Sequence, residues 1–324
     1  MGDPAGVGPE IIVKAFQEEG GFPLCRGVVA GDAACLRSAA GQIGASVAIH
    51  PISSLAEARF QPDILDVLDL KNVSSHLVQG RACAEGGKAS VDYIRRAVEL
   101  TMNHEADAIT TAPINKESLH LAGFCYPGHT ELLADLTDAK DVALMLAGDR
   151  LRVVLATTHV PVHQIHSLIT TGRVATTLRL THSWLRKHVT ERPKIAVTGL
   201  NPHCGDGGIF GDEEKTAIVP ALETVRREGI EVSGPFPADA FFSRLKPNEY
   251  DAVVTMYHDQ GMIPVKMESR GTAVNITLGL PILRTSVDHG TAYDIAGKGT
   301  ASPESLKTAI RKAAALSRAS LAVK

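Results

Sequence analysis

The sequence predicts an α/β fold, and three observations carry that reading. Short apolar runs alternate with helical patterns, glycine and proline punctuate the junctions, and several apolar runs end in polar segments rich in histidine. With 324 residues the chain is long enough for two domains or one large α/β unit, with ample material for a core.

Taken in order, the opening MGDPAGVGPE reads as a Gly- and Pro-punctuated loop, with Pro9 in the first turn of a helix over 9–19. Such a loop follows a strand, so a first strand is expected upstream of Met1, either lost or hidden by a misplaced start. The spacing of Gly2, Gly6 and Gly8 does not match G-x-G-x-x-G, and a plain tight turn explains it as well as a ligand contact. Strands are expected at 27–30, 46–49 and 64–68, with a helix over 32–42. A long helix over 81–105 carries Val91, Ile94, Val98 and Met102 as a core stripe. A strand over 107–112 leads to a short helix that Asn115 caps and Gly123 ends.

Gly128, His129 and Thr130 stand at a loop-to-helix junction, where a hydroxyl and an imidazole at a helix N-terminus suit an anion. The bland alternative is that Thr130 merely caps the helix. Runs at 142–147 and 151–157 form a hairpin about Gly148-Asp149. A helix over 173–189 and a strand over 194–200 follow, then the loop CGDGGIFGDEE and a helix to about residue 227. The tail over 303–323 reads as an outer helix.

Composition excludes several classes. With 33 basic and 36 acidic side chains there is no basic excess for nucleic acid, and 4% aromatics leaves little for base stacking. No apolar run reaches the roughly 20 residues that cross a bilayer, and no secretory pattern opens the chain, so the cytoplasm is the expected location. Cys25, Cys35, Cys83, Cys125 and Cys204 form no C-x-x-C pair, which argues against disulfide or structural zinc frameworks; Cys204, directly after His203, is the one to watch as a ligand.

The densest chemistry lies in 251–299. Among thirteen histidines, His50, His76, His104, His120, His166, His182 and His188 read as solvated. His159, His203 and His258 instead follow apolar strands, where α/β sheets bind ligands. Three imidazoles aimed at one point describe a catalytic divalent-metal site, best matched by zinc, then cobalt, manganese or magnesium. Any one of them alone reads as a hydrogen-bonded imidazole. Lys266, Asn275 and Arg284 supply groups for a carboxylate or phosphate, although each also fits an ordinary side chain; Asn275 on an apolar strand asks most for a reason. The turn HGTAYDIAGKG can bring backbone N–H groups close to a ligand.

The stretches GDPAGVGPEI, TAPINKE, YPGHTELLA, ATTHVP, GLNPHCGDGGIFGDEE, MYHDQGMIPVK and VNITLGLPILRTSVDHGTAYDIAGKG resemble the 4-hydroxythreonine-4-phosphate dehydrogenase family over nearly the whole chain. Its threonate-4-phosphate branch is also similar, through HLAGFCYPGHTELLA and AEARFQPDILDVLD. The resemblance implies an isocitrate/isopropylmalate dehydrogenase-like three-layer α/β/α fold of two subdomains with the active site in their cleft. It divides the chain into 1–127 with 286–324 on the cofactor side, and 128–285 for metal, substrate and dimer formation. It implies a homodimer with the metal site at the subunit interface, the metal on His159, His203 and His258, and substrate on His129, Thr130, Lys266, Asn275 and Arg284. NAD or NADP would lie along His289, Gly290, Thr291, Asp294, Gly297 and Gly299, with Lys266 or Asp239 as the base. The implied reaction oxidises a secondary hydroxyl beta to a carboxylate and releases carbon dioxide. A metal-dependent hydrolase or lyase and a non-catalytic phosphate-binding protein are the rival classes.

Overall fold

The computed structural model describes residues 1–322, with side chains through residue 319; the expected helix end at Val323, and Lys324, lie outside the described residues. In chain order the elements are α1 (Gly8–Glu18), β1 (Val29–Gly31), α2 (Ala33–Gln42), β2 (Ala48–Ile52), β3 (Ile64–Asp69), α3 (Ala84–Met102), β4 (Ala108–Thr111), α4 (Lys116–Leu121) and α5 (His129–Leu136). There follow β5 (Ala143–Ala147), β6 (Arg152–Leu155), α6 (Ile165–Leu168), α7 (Thr171–His188), β7 (Ile195–Thr198), α8 (Val219–Arg227), β8 (Val232–Phe236) and α9 (Ala238–Arg244). The chain closes with β9 (Ala252–Thr255), α10 (His258–Ser269), β10 (Val274–Leu278), β11 (Leu283–Ser286) and α11 (Glu304–Ala322).

Two compact units form. The first comprises Met1–Ala139 and Leu280–Ala315, the second Lys140–Gly279 and the chain from Leu316. The first therefore takes in His129, Thr130 and Arg284, which the expected division at 127/128 and 285/286 assigns to the other half. The packing of α5 is the physical reason: Leu132 and Leu133, fully buried, share a core with Val91, Ile94 and Val98 of α3 and Leu119 of α4. Burying side chains of that size contributes roughly 1.5–3 kcal/mol each. Met102, the last position of the expected stripe, is exposed at the helix end.

In the first unit β1, β3 and β2 form a parallel sheet in that order, and β4 pairs with β11 in parallel. Asp32 caps α2 by accepting from the N–H groups of Ala34 and Cys35, and Asn115 caps α4 through Ser118. Thr130 does not cap α5; Gly128 holds the cap position without a side-chain bond.

In the second unit the strand order is β10-β5-β6-β9-β7-β8, with the expected hairpin β5–β6 antiparallel and β6, β9, β7 and β8 parallel. The apolar run before His258 ends at Thr255, and His258 opens a helix rather than closing a strand. Gly261 lets α10 sit close: a Cβ there would lie 2.4 Å from Val153 and 2.5 Å from Thr255.

Two histidines expected in solvent are not there. His188 is 8% exposed against the Trp184 ring, and His50 bonds through Nδ1 to the buried Asp66 at 2.8 Å.

Candidate active site

Within the first unit the anion-binding candidates converge. Arg284 sits on β11 opposite Ile109 of β4 and is 3% exposed. Its Nε and Nη2 donate to Thr111 Oγ1 at 3.2 and 2.7 Å. Burial pushes the guanidinium down to about 9, which still leaves it charged at neutral pH. His129, the first residue of α5, has a buried Nε2 that finds no hydrogen-bond partner among the described residues. Burial, then the charge of Arg284, hold its imidazole well below the usual histidine range, against a pull from the Ala112 backbone. The ring is neutral, and since its N–H donates to the Ala112 carbonyl, Nε2 is an acceptor. A buried guanidinium and a helix N-terminus together favour an anionic oxygen, and the His129 Nε2 beside them can accept from a hydroxyl.

The segment from His289 to Gly299 belongs to the same unit and is held by the first loop and α1. Val7 N–H donates to Thr291 C=O at 3.0 Å, and a Cβ on Gly6 would stand 2.9 Å from Thr291. Glu10 accepts from the N–H groups of Ala301 at 2.8 Å and Gly299 at 3.3 Å. Lys14 Nζ donates to the carbonyls of Gly299 and Ala301 at 2.8 and 2.7 Å. Ala292, Gly297 and Gly299 take left-handed backbone conformations, which shape the turn, while His289, Gly290 and Asp294 are exposed. The opening glycines, ambiguous as sequence, thus build the seat of this segment; Glu10 and Lys14 gave no sequence signal because their partners lie more than 280 residues away.

In the second unit β6, β9 and β7 are adjacent and parallel, so His159 and His203, in loops, and His258, at the start of α10, follow neighbouring strand ends. The rings of His159 and His258 stand 5.5 Å apart between centroids, and His258 Nδ1 lies 2.7 Å from Asp259 Oδ1. The expected convergence of all three imidazoles is not found within one chain: among the described residues no three His, Cys, Asp or Glu side chains are grouped to hold a metal. His203 lies in a turn over 203–207 with φ of 43° to 78° throughout, and this left-handed path sets its direction independently of the strand. The donor chemistry of His159 and His258 fits two ligands of a divalent ion. Burial and then Glu214 push the Cys204 thiol up to about 11.

Two polar side chains hold these loops. Glu214, 5% exposed, accepts from Leu200 N–H at 2.7 Å, Asn201 N–H at 2.7 Å and Asn201 Nδ2 at 3.0 Å. Gln260 accepts from Met256 N–H and Thr198 Oγ1 and donates to Gly199 C=O. Neither stood out in the sequence. Asn275 is half-buried on β10 opposite Leu146, Asp239 is exposed on α9, and Lys266 is exposed on α10, about 12 Å along the axis from His258.

The sequence profile of the pyridoxal phosphate biosynthetic protein PdxA matches residues 23–313. The chain belongs to that family. It is 48% identical to a 4-hydroxythreonine-4-phosphate dehydrogenase of Trichlorobacter lovleyi, over 98% of this chain and 96% of the other. It is 45% identical to a D-threonate 4-phosphate dehydrogenase of Cupriavidus necator, over 98% and 95%. A crystal structure of 4-hydroxythreonine-4-phosphate dehydrogenase from Klebsiella pneumoniae superposes with a TM-score of 0.91 at 43% identity, covering 98% of this chain and 96% of that one. The protein is thus an enzyme of a dehydrogenase family with a mixed α/β fold.

Proposed function

We propose that the protein is an NAD(P)- and divalent-metal-dependent dehydrogenase that oxidises the secondary hydroxyl of 4-hydroxythreonine 4-phosphate. Loss of carbon dioxide then gives 3-amino-2-oxopropyl phosphate, for vitamin B6 synthesis. The observation that carries the substrate class is the buried, charged Arg284, which suits a phosphate or carboxylate, beside a neutral His129 whose Nε2 can accept from a substrate hydroxyl. In this reading Arg284, His129 and Thr130 bind the anion together with Lys266 and Asn275.

The metal would be held by His159, His203 and His258, with a second copy of the chain completing the set, and zinc suits three imidazoles best. When bound it supplies Lewis acidity toward the substrate oxygen, and the nicotinamide accepts hydride. Lys266 or Asp239 takes the hydroxyl proton. Residues 289–299 carry the nucleotide, their backbone already shaped by the first loop and α1.

A homodimer is supported by apolar side chains next to the histidines: Ile209, Phe210, Ile263 and Met267 are 75%, 51%, 56% and 73% exposed. No helix among the described residues is long and apolar enough to cross a membrane, and all five cysteines are free, which suits a reducing cytoplasm.

The test is a panel in which 4-hydroxythreonine 4-phosphate, D-threonate 4-phosphate and erythronate 4-phosphate are each offered with NAD or NADP and a divalent metal. The highest kcat/KM is expected for the first acid. A clear preference for either sugar acid assigns the protein to catabolism instead.

A further inference from the structure

Tyr293 is the one aromatic side chain of the 289–299 segment, and its hydroxyl is hydrogen-bonded on two sides. It lies 2.7 Å from Asp3 Oδ2 and 2.8 Å from Ser118 Oγ. Ser118 Oγ in turn lies 3.3 Å from Cys83 N–H. The two ends fix the direction of the chain of bonds, because an N–H only donates and a carboxylate only accepts. Cys83 N–H donates to Ser118, the Ser118 hydroxyl to the Tyr293 oxygen, and the Tyr293 hydroxyl to Asp3. Each hydroxyl both donates and accepts, an arrangement in which successive bonds polarise one another.

Asp3 is fully buried, and its other oxygen accepts from Ala5 N–H at 2.8 Å. It also faces the first turn of α3: a Cβ on Gly86 would stand 2.6 Å from Asp3 Oδ1. The positive end of a 19-residue helix is a favourable place for a buried carboxylate. Gly80 closes the back of the arrangement, since its N–H donates to Ala5 C=O and a Cβ there would meet Tyr293 C=O at 2.9 Å. Burial and the neighbouring carboxylate hold the Tyr293 phenol above its ordinary value, so it stays protonated as the donor the chain requires.

We infer that Tyr293 is a positioning residue for nucleotide binding: its hydroxyl, clasped between Asp3 and Ser118, fixes the 289–299 segment in its binding conformation before the nucleotide arrives. The inference rests on the reading of 289–299 as the nucleotide segment. The opening GDPAG stretch then acts on the cofactor indirectly, as the acceptor that anchors this tyrosine. The residue before Tyr293, Ala292, is left-handed at φ 44°, a conformation that a non-glycine residue keeps only where its surroundings impose it. Without the clasp, part of the ordering of 289–299 shifts to the moment of binding and weakens affinity.

The test compares wild type, Tyr293→Phe and Ser118→Ala as full-length proteins. NAD and NADP binding is titrated calorimetrically, amide hydrogen exchange is followed without nucleotide, and KM is measured separately for nucleotide and hydroxy acid. Tyr293→Phe is expected to weaken nucleotide binding about tenfold, equivalent to about 1.4 kcal/mol, with kcat and the KM of the hydroxy acid within twofold of wild type. Exchange should accelerate in 289–299 and not in β5 or β6, and Ser118→Ala should give a smaller effect of the same kind. Nucleotide affinity and exchange unchanged in Tyr293→Phe would overturn the inference, as would an equal rise in both KM values with exchange accelerated throughout. Failure of wild type to bind either nucleotide counts against the dehydrogenase reading itself.

Discussion

Replacing Glu214 with alanine tests how the loop of His203 is held. The carboxylate accepts three hydrogen bonds, from Leu200 N–H, Asn201 N–H and Asn201 Nδ2, and is 5% exposed. Leu200 and Asn201 are half-buried, so water can reach their freed donors, and about 1 kcal/mol per bond is the appropriate loss, about 3 kcal/mol in all. Opposing these bonds, His203, Cys204 and Asp206 each hold a left-handed conformation at a cost of roughly 1 kcal/mol. The two sums are similar, so without the carboxylate the turn keeps only the Asn201–Glu213 bond and its own backbone bonds against its strain, and it relaxes. Zinc or manganese affinity, measured by calorimetry, is expected to fall roughly a hundredfold. The melting temperature should change little, because the strain released offsets the bonds lost, while amide exchange across 200–211 becomes faster. Wild-type metal affinity together with wild-type exchange in that segment would show that Glu214 does not hold the His203 turn.

Further outcomes follow from the same geometry. His203→Ala should abolish turnover while leaving the far-ultraviolet circular dichroism unchanged; full activity would remove His203 from the metal set. Arg284→Lys keeps the charge and loses the two-bonded contact with Thr111, so KM for a phosphorylated acid should rise about a hundredfold, read from initial rates. His188 titrates at about 4 because burial and then Lys187 disfavour its cation. Its unfolded value is about 6.5, so the unfolded chain binds the proton first. The advantage of the neutral buried ring is complete above pH 6.5 and is lost as pH falls toward 4, up to about 3 kcal/mol. Denaturant unfolding of His188→Gln against wild type should show that slope removed, and parallel pH profiles would contradict it.

Much of the secondary structure was legible because local chemistry sufficed. Gly148-Asp149 marked the β5–β6 hairpin, and Asn115 announced the helix that it caps. Helix α10 was not legible, since Gly261 and Pro264 both disfavour a helix, yet tertiary packing on β6 and β9 overrides that preference. At the site, Arg284 and His129 could be nominated by type alone because a guanidinium and an imidazole announce anion chemistry. Their depth of burial could not. The three histidines were nominated by their places after strands, and the adjacency of β6, β9 and β7 accords with that logic. What the pattern could not convey is the left-handed turn after Asn201, which redirects His203. Glu10, Lys14, Asp3 and Glu214 were invisible because each acts on backbone or a side chain brought near only by folding.

The most direct measurement of the central claim is the simultaneous recording of nicotinamide reduction and carbon dioxide release on 4-hydroxythreonine 4-phosphate, before and after removal of divalent metal by chelation. One carbon dioxide is expected for each nicotinamide reduced, with loss of both signals on chelation and their joint return when zinc or manganese is restored. Reduction that continues undiminished in the metal-free protein, or carbon dioxide release without reduction, would contradict that claim.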